Sequence, residues 1–227
     1  MLFLVLGRGR TGSLVAQVAS ERGHGVRVVG EEENRNAAAL TAPVLAGFDA
    51  VIDFTTPEAA VENMRACLAT GARMVVGTTG WYRQLDDIRA LCERRGGALL
   101  YSANFSVGAQ ALFRVARELA TAAHGYRFGI TETHQATKKD APSGTALTLE
   151  RILKASQPGR EVKVESKREG EVAGIHEVEA CSDNDMLVLR HEAFSRRGFA
   201  EGAVRAAEWI AGKTGCWDFA EIFEKLG

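Results

Sequence analysis

The chain opens on an unbroken apolar run, Leu2–Leu6, of the kind that forms a parallel strand covered on both faces. Leu14, Val15, Val18 and Ala19 then recur at helical spacing, and residues 26–29 form a second short apolar run. The alternation repeats. Residues 50–54 read as a strand. The next helix starts with Thr56 as cap, Pro57 at its first position and Glu58 in its first turn, and it carries Val61, Met64 and Leu68 on one face. Residues 74–76 and 98–101 are further strands, separated by a helix marked by Leu85, Ile88 and Leu91. Short buried strands alternating with helices predict a parallel sheet with helices on both faces.

The pattern changes after Phe105. Val107, Ala111, Leu112, Val115 and Leu119 give one long amphipathic helix, and the apolar period then drops to two in residues 126–133, 162–165, 175–180 and 186–193. Strict alternation predicts a sheet with one covered face. Gly170 and Gly174 bound a loop before the third of these strands. Phe199, Ala203, Val204, Ala207 and Ile210 form a last helix, expected to return to the first domain.

The turn after the first strand is Gly7-Arg8-Gly9-Arg10-Thr11-Gly12, so strand, G-x-G-x-x-G and helix follow in the order of a dinucleotide-binding fingerprint. Gly7 serves the tight turn, Gly9 the close approach of a pyrophosphate, and Gly12 the packing of helix on strand. Glu31 follows at about the 20-residue distance at which a ribose-binding acid is expected. Glu31, Glu32 and Glu33 form an acidic run that would repel a 2′-phosphate, which predicts NADH in preference to NADPH, with Arg27 and Arg35 as counterweights. Ligands of open parallel sheets sit beyond the carboxyl ends of the strands. Gly77, Thr78 and Thr79, and Ser102, Ala103, Asn104 and Phe105, occupy two such ends and are candidate walls for a nicotinamide. The fold class is therefore α/β: a Rossmann-like parallel-sheet domain made of residues 1–106 and 196–227, discontinuous in sequence. Residues 107–195 form a second α+β domain with an open mixed sheet.

The densest chemistry lies at the entrance to that second domain. His134, Lys138, Lys139 and Asp140 fall close together and lead through Ala141-Pro142 into Ser143-Gly144-Thr145 and an apolar helical tail. An imidazole titrates near neutrality, and a lysine offers a compact cation and a proton. With Ser143 as N-cap, the N–H groups of Gly144 and Thr145 would suit an anion. Together they point to a small carboxylate-bearing substrate that undergoes proton transfer. His24, His124, His176 and His191 show no metal-ligand spacing and read as structural or surface residues, with His176 or His191 the two that could line the site; no metal is expected.

Composition narrows the partners. A net charge of −1 argues against general affinity for nucleic acid or an anionic membrane. No apolar run approaches the roughly 18 residues of a membrane span. Cys67, Cys92, Cys181 and Cys216 are widely spaced, with no C-x-x-C pair, as expected of a cytoplasmic protein with reduced thiols.

Several stretches closely resemble the 4-hydroxy-tetrahydrodipicolinate reductase (dihydrodipicolinate reductase) family. They are Asp53-Phe54-Thr55 with Pro57, Gly77-Thr78-Thr79-Gly80, Ala103-Asn104-Phe105-Ser106-Val107-Gly108, and Lys138-Lys139-Asp140-Ala141-Pro142-Ser143-Gly144-Thr145-Ala146; Ser195-Arg196 with Phe199-Ala200 and Gly202-Ala203 looks like the family's closing segment. The resemblance covers nearly the whole chain. It implies NAD(P)H-dependent reduction of a cyclic dicarboxylate in diaminopimelate and lysine biosynthesis, with His134 as proton donor or acceptor and Lys138 as the second donor. It implies that Gly144 and Thr145 hold a substrate carboxylate and that the cofactor contacts are those named above. It also implies a homotetramer associating through the sheet of the second domain. Three features depart from the family pattern: Gln135 stands where a second histidine is usual, the glycine loop is one residue shorter with Thr11 in place of Met, and the chain is shorter than many members. Two other functions fit the same pattern, a dehydrogenase of another amino or keto acid and a nucleotide-responsive binding protein without turnover. A substrate panel separates the first, and NADH binding without turnover marks the second.

Overall fold

The computed structural model describes residues 1–226. Its chain divides into two compact units, Met1–Ser106 with Arg197–Gly227, and Val107–Arg196. In chain order the first unit begins with β1 (Leu2–Leu6), α1 (Arg10–Glu21), β2 (Gly25–Val29), the short α2 (Ala42–Leu45), β3 (Ala50–Asp53), α3 (Pro57–Ala69), β4 (Arg73–Val76), α4 (Leu85–Arg95) and β5 (Ala98–Tyr101). The second unit holds α5 (Val107–Ala122), β6 (Arg127–His134), α6 (Gly144–Ser156), β7 (Lys163–Arg168), β8 (Gly174–Cys181) and β9 (Met186–Ala193). The chain then returns to the first unit with α7 (Arg197–Ile210) and β10 (Gly215–Asp218).

The first unit is a six-stranded parallel sheet in the order β10-β5-β4-β3-β1-β2. Continuous apolar runs make β1, β3 and β5 because both faces are covered. Phe3, Leu4, Val5 and Leu6 are wholly buried, as are Leu99 and Leu100. α3 starts as its sequence dictates: Thr56 accepts a hydrogen bond from the Ala59 N–H, and Pro57 stands at the first turn, where it sacrifices no helical bond. α7 packs on α1 and on β3, β4 and β5. Arg22 on one side and Arg197 on the other tie it to α1 through Glu208 and Glu21. Strand order reverses between β1 and β3, which makes the carboxyl end of that pair the switch point where open α/β sheets bind ligands. The glycine loop leaves β1 at that point.

The second unit is a mixed sheet in the order β7-β6-β8-β9, with β6 and β7 parallel and the other pairs antiparallel. α5 and α6 cover one face. The alternation of β6 puts Phe128 and Ile130 into that core, together with Val178 and Ala180 of β8. Period two then carries Glu132 and His134 onto the same inner face, so the stripe turns from apolar to ionisable at one end of the sheet.

Strand ends differ from expectation in instructive ways. β3 stops at Asp53, and Phe54 turns its carbonyl toward Gly7. β6 runs one residue further than expected, through His134. β7 continues past the expected 162–165 to Arg168 because β6 supplies partners as far as His134, and ladder hydrogen bonds outweigh the charge of Lys167 and Arg168. β10 has no signal in the sequence. Gly215-Cys216-Trp217-Asp218 is a short stretch with no alternation, and it becomes a strand only because the edge of β5 is available to it.

Candidate active site

The nucleotide end of the first unit is built around close backbone approaches. Gly7 has φ 102°, and a Cβ there would lie 2.3 Å from the Phe54 carbonyl oxygen. A Cβ on Gly12 would lie 2.1 Å from the Gly7 carbonyl oxygen. Gly9, by contrast, has open space around its Cα and caps α1 with no side chain bonded to the first helical N–H groups. The result is an open helix start at the switch point, flanked by glycines no larger residue can replace, which fits the diphosphate of a dinucleotide. Arg8 folds over Gly30 and pairs with Glu33, so the acidic run after β2 is partly neutralised by the loop itself. Glu31 and Glu32 are exposed beside it.

Asp53 organises the neighbouring loops from a fully buried position. The hydroxyls of Thr55 and Thr78 each donate to its Oδ1 at 2.7 Å, and Asn63 donates to its Oδ2 at 2.7 Å. Asn34, from the loop after β2, donates in turn to Asn63. Burial pushes the Asp53 carboxyl upward, and these donors pull the other way. Thr78 therefore spends its side chain on structure, while Thr79 is exposed. In the next loop Ser102 bonds the Asn104 backbone, Ala103 is exposed, and the Phe105 ring turns inward against Phe54 and Phe219. Of the four residues read as a nicotinamide wall there, Phe105 has only its backbone to offer.

The chemistry of the second unit grows from the cross-strand register. Ser166 of β7, Glu132 of β6, His176 of β8 and His191 of β9 form one row across the sheet. In the next row Arg168 pairs with His134, and Gly174 approaches the imidazole from the other side. Glu132 is wholly buried. Its Oε1 accepts from Arg168 Nη2 at 2.9 Å and from the Ser143 N–H at 3.1 Å. Its Oε2 lies 2.9 Å from His134 Nδ1 and 3.9 Å from His176 Nε2. Burial alone would raise this carboxyl, but Ser143, Arg168, Ser166 and His134 together hold it at about 2. Arg168 also donates to the Asp140 carbonyl, closing the loop that follows β6.

Ser143 caps α6 as its sequence position requires, its hydroxyl accepting from the Ala146 N–H, and Oγ lies 3.1 Å from His176 Nε2. The Ala141–Pro142 peptide before it is cis. Gly144 is exposed at the helix start, with Thr145 half-buried next to it. Gln135 is half-buried, and its carbonyl accepts from the Lys138 N–H in a tight turn. Lys138 Nζ rests on the Asp140 carboxylate at 2.6 and 2.7 Å. His134 is held below its ordinary value chiefly by burial and by the charges of Lys138 and Arg168, against the pull of Glu132 and Asp140. His176 is pushed down to about 4 by burial and by its neighbours His134, His191 and Lys138, with Glu132 opposing. Two carboxylates, Glu132 and Asp140, are thus paired with Arg168 and Lys138, beside three imidazoles that burial holds below their ordinary range. Glu132, His134 and His176 bring ligand-type atoms within 4.8 Å of one another, but Arg168 already neutralises the carboxylate, so the group reads as an acid–base cluster rather than a cation site.

His176, one of the two histidines the sequence allowed to line the site, does so, and Glu132 and Arg168 join it although the sequence gave neither a role. The signal available was phase: Glu132 and His134 continue the inner stripe of Phe128 and Ile130, and a charged residue on a covered face needs partners.

Gly174 offers a sharp test of this geometry. A Cβ there would stand 3.0 Å from His134 Nε2 and 3.3 Å from Cδ2. Gly174→Ala is expected to push the imidazole aside and lower kcat by roughly 10–10²-fold, the cost of about 1 Å of misplacement. Thermal unfolding is expected to change little, because no backbone strain accompanies the methyl. Steady-state kinetics beside a melting curve check both.

A parallel sheet with an open glycine loop at its switch point, in one chain with a buried acid–base cluster of carboxylates, imidazoles and paired cations, is the architecture of a nucleotide-dependent oxidoreductase of a small molecule. Comparison with known proteins agrees. Residues 1–105 match the family model described as dihydrodipicolinate reductase, N-terminus, and residues 108–223 the one described as dihydrodipicolinate reductase, C-terminus. A 4-hydroxy-tetrahydrodipicolinate reductase of Natronomonas pharaonis is 39% identical over 94% of this chain and 96% of its own. One from Christiangramia forsetii is 32% identical over 100% and 99%. The dipicolinate-bound dihydrodipicolinate reductase from Paenisporosarcina sp. TG-14 shares the fold with a TM-score of 0.81, at 21% identity over 98% of this chain and 99% of that one. The amine dehydrogenase of Mycobacterium smegmatis shares it more loosely, at a TM-score of 0.65 and 13% identity over 97% and 95%. The chain belongs to the dihydrodipicolinate reductase family and is an oxidoreductase. Among the described residues, no helix is long and apolar enough to cross a membrane.

Proposed function

We propose that this protein reduces 4-hydroxy-tetrahydrodipicolinate to tetrahydrodipicolinate with loss of water, in diaminopimelate and lysine biosynthesis, with NADH preferred over NADPH. The observation that carries the reading is that Glu132 contacts both the His134 imidazole and the capped start of α6, inside a chain of this family. Gly7, Arg8, Gly9, Arg10, Thr11 and Gly12 hold the cofactor diphosphate, Glu31 the ribose, and residues 77–79 and 102–105 the nicotinamide. The nicotinamide, when bound, supplies the hydride. Gln135 and the N–H groups of Gly144 and Thr145 hold substrate carboxylate, with Gln135 contributing a hydrogen bond without charge. The ring hydroxyl leaves as water, and after hydride arrives His134 or Lys138 protonates the resulting enamine.

The resting imidazole of His134 is biased toward its neutral form. Arrival of a dicarboxylate raises its proton affinity, since nearby negative charge favours imidazolium. Binding itself therefore loads the acid, and the Lys138 cation stabilises charge developing on the ring. The exposed apolar side chains Met186, Leu187 and Val188 on edge strand β9 support the further proposal of a homotetramer formed through this sheet.

An assay following NADH loss with freshly generated cyclic substrate decides the central claim; purified protein that binds NADH and turns over nothing would refute it. For cofactor choice, kcat/KM with NADH is expected to exceed that with NADPH by roughly tenfold. That factor matches about 1.4 kcal/mol between a 2′-phosphate and a solvated carboxylate close to it. A clear preference for NADPH would remove Glu31 from its assigned role.

A further inference from the structure

We infer that Glu132, wholly buried, is a positioning residue that fixes the tautomer of His134 and locks that imidazole to the helix start receiving the substrate carboxylate. The inference rests on the reading of His134 given under Proposed function.

Each carboxylate oxygen has a separate task. Oε1 takes the Ser143 N–H and the Arg168 guanidinium, so it anchors the cap residue of α6 and, through Arg168, the Asp140 carbonyl of the intervening loop. Oε2 faces His134 Nδ1 at 2.9 Å. Among the described residues neither atom has an aligned hydrogen-bond partner, and their 2.9 Å contact falls short of hydrogen-bond alignment. Catalytic hydrogen bonds of this kind commonly tighten only when substrate is in place. An ionised carboxylate can only accept, so it selects the tautomer with the proton on Nδ1 and leaves Nε2, the atom lying over Gly174, as the group that exchanges a proton with the ring. The same carboxylate thus sets both where the acid stands and where the substrate is gripped. Two residues nine positions apart in the chain are thereby held in one frame.

The groups facing His134 are Glu132 on its own strand, Lys138 and Asp140 in the loop beyond, Arg168 on β7 and His176 on β8. Of the two carboxylates, Glu132 stands in direct contact with the ring, so its removal dominates any change in the proton affinity of His134.

The experiment has an arm that does not depend on turnover. Nitrogen-15 imidazole shifts of the full-length wild-type protein are expected to report His134 as the Nδ1–H tautomer when neutral. In Glu132→Gln the side-chain amide keeps an acceptor for Ser143 and Arg168 but presents a donor to the ring, so the Nε2–H tautomer is expected instead. With substrate, kcat is expected to fall about 10²-fold or more, the range for a lost general acid, with KM changing little. The pH limb set by the imidazole is expected to move to lower pH, because the carboxylate that raised its proton affinity is gone. Glu132→Asp is expected to recover part of kcat and the limb. An Nε2–H tautomer in the wild type would overturn the inference, as would a Glu132→Gln variant that loses thermal stability while its pH limb stays in place. Absence of turnover in the wild type would sink the proposed reaction and leave the tautomer result to judge Glu132 by itself.

Discussion

Lys138→Ala is expected to lower kcat for the cyclic dicarboxylate by roughly 10²–10⁴-fold, the range for losing a positioned proton donor, while NADH affinity stays as it was. The ammonium is partly exposed and, among the described residues, Asp140 is the side chain that holds it. A surface pair of that kind contributes about 0–1 kcal/mol to stability, so the variant is expected to melt within about 4 °C of wild type on the scale of about 2–4 °C per kcal/mol for a chain of this size. Loss of the cation also has a signed effect on its neighbour. Lys138 is among the charges that hold His134 down, so its removal should move the imidazole limb of the pH profile to higher pH, opposite to the shift from Glu132→Gln. Single-turnover measurements across pH, with NADH binding followed separately, test both parts. A variant with near-normal kcat, or a limb moving downward, would remove Lys138 from the mechanism.

The second large effect is structural. Gly202 of α7 lies so close to the loop after β5 that a Cβ there would be 1.8 Å from the Phe105 carbonyl oxygen and 2.8 Å from its carbon. These are backbone atoms, flanked by the buried Phe105 ring against Phe219, and they have no rotamer into which to retreat. Gly202→Ala is expected to cost at least the upper end of the about 1–3 kcal/mol typical of overpacking, lowering Tm by several degrees. Because the displaced loop carries Ser102, Ala103 and Asn104, NADH affinity is expected to fall as well. Gly198→Ala on the same helix is the control. Its nearest neighbour is Ser106 Oγ at 3.8 Å, ordinary contact, and its effect should stay within about 0.5 kcal/mol. Equal melting temperatures for the two variants would show that the α7 contact is not what holds the loop.

Much of this was legible in one dimension because the interactions are local. The turn from β1 into α1 needs residues without a Cβ at Gly7 and Gly12, and a run of glycines after a buried strand declares that need. Thr56-Pro57 and Ser143-Gly144 announce helix starts because a cap bonds an N–H only three residues away. The second unit's change from helical to two-residue period was equally plain. Less plain was β10, whose four residues carry no pattern and depend on the edge of β5.

The sequence by itself determined the alternation of strands and helices, save for α2 and β10, the glycine loop at the first turn, and the closeness of His134, Lys138 and the Ser143 cap. Each of these follows from residues within a few positions of one another. Only the tertiary structure decided that Arg168 and His176, on two different strands, converge on Glu132, and that Gly174 and Gly202 leave room for His134 and for the Phe105 loop. The physical reason is register. Which side chains meet across a sheet or between a helix and a loop depends on how the strands pair and which face is covered, and a shift of one residue would send every one of these groups to the opposite side.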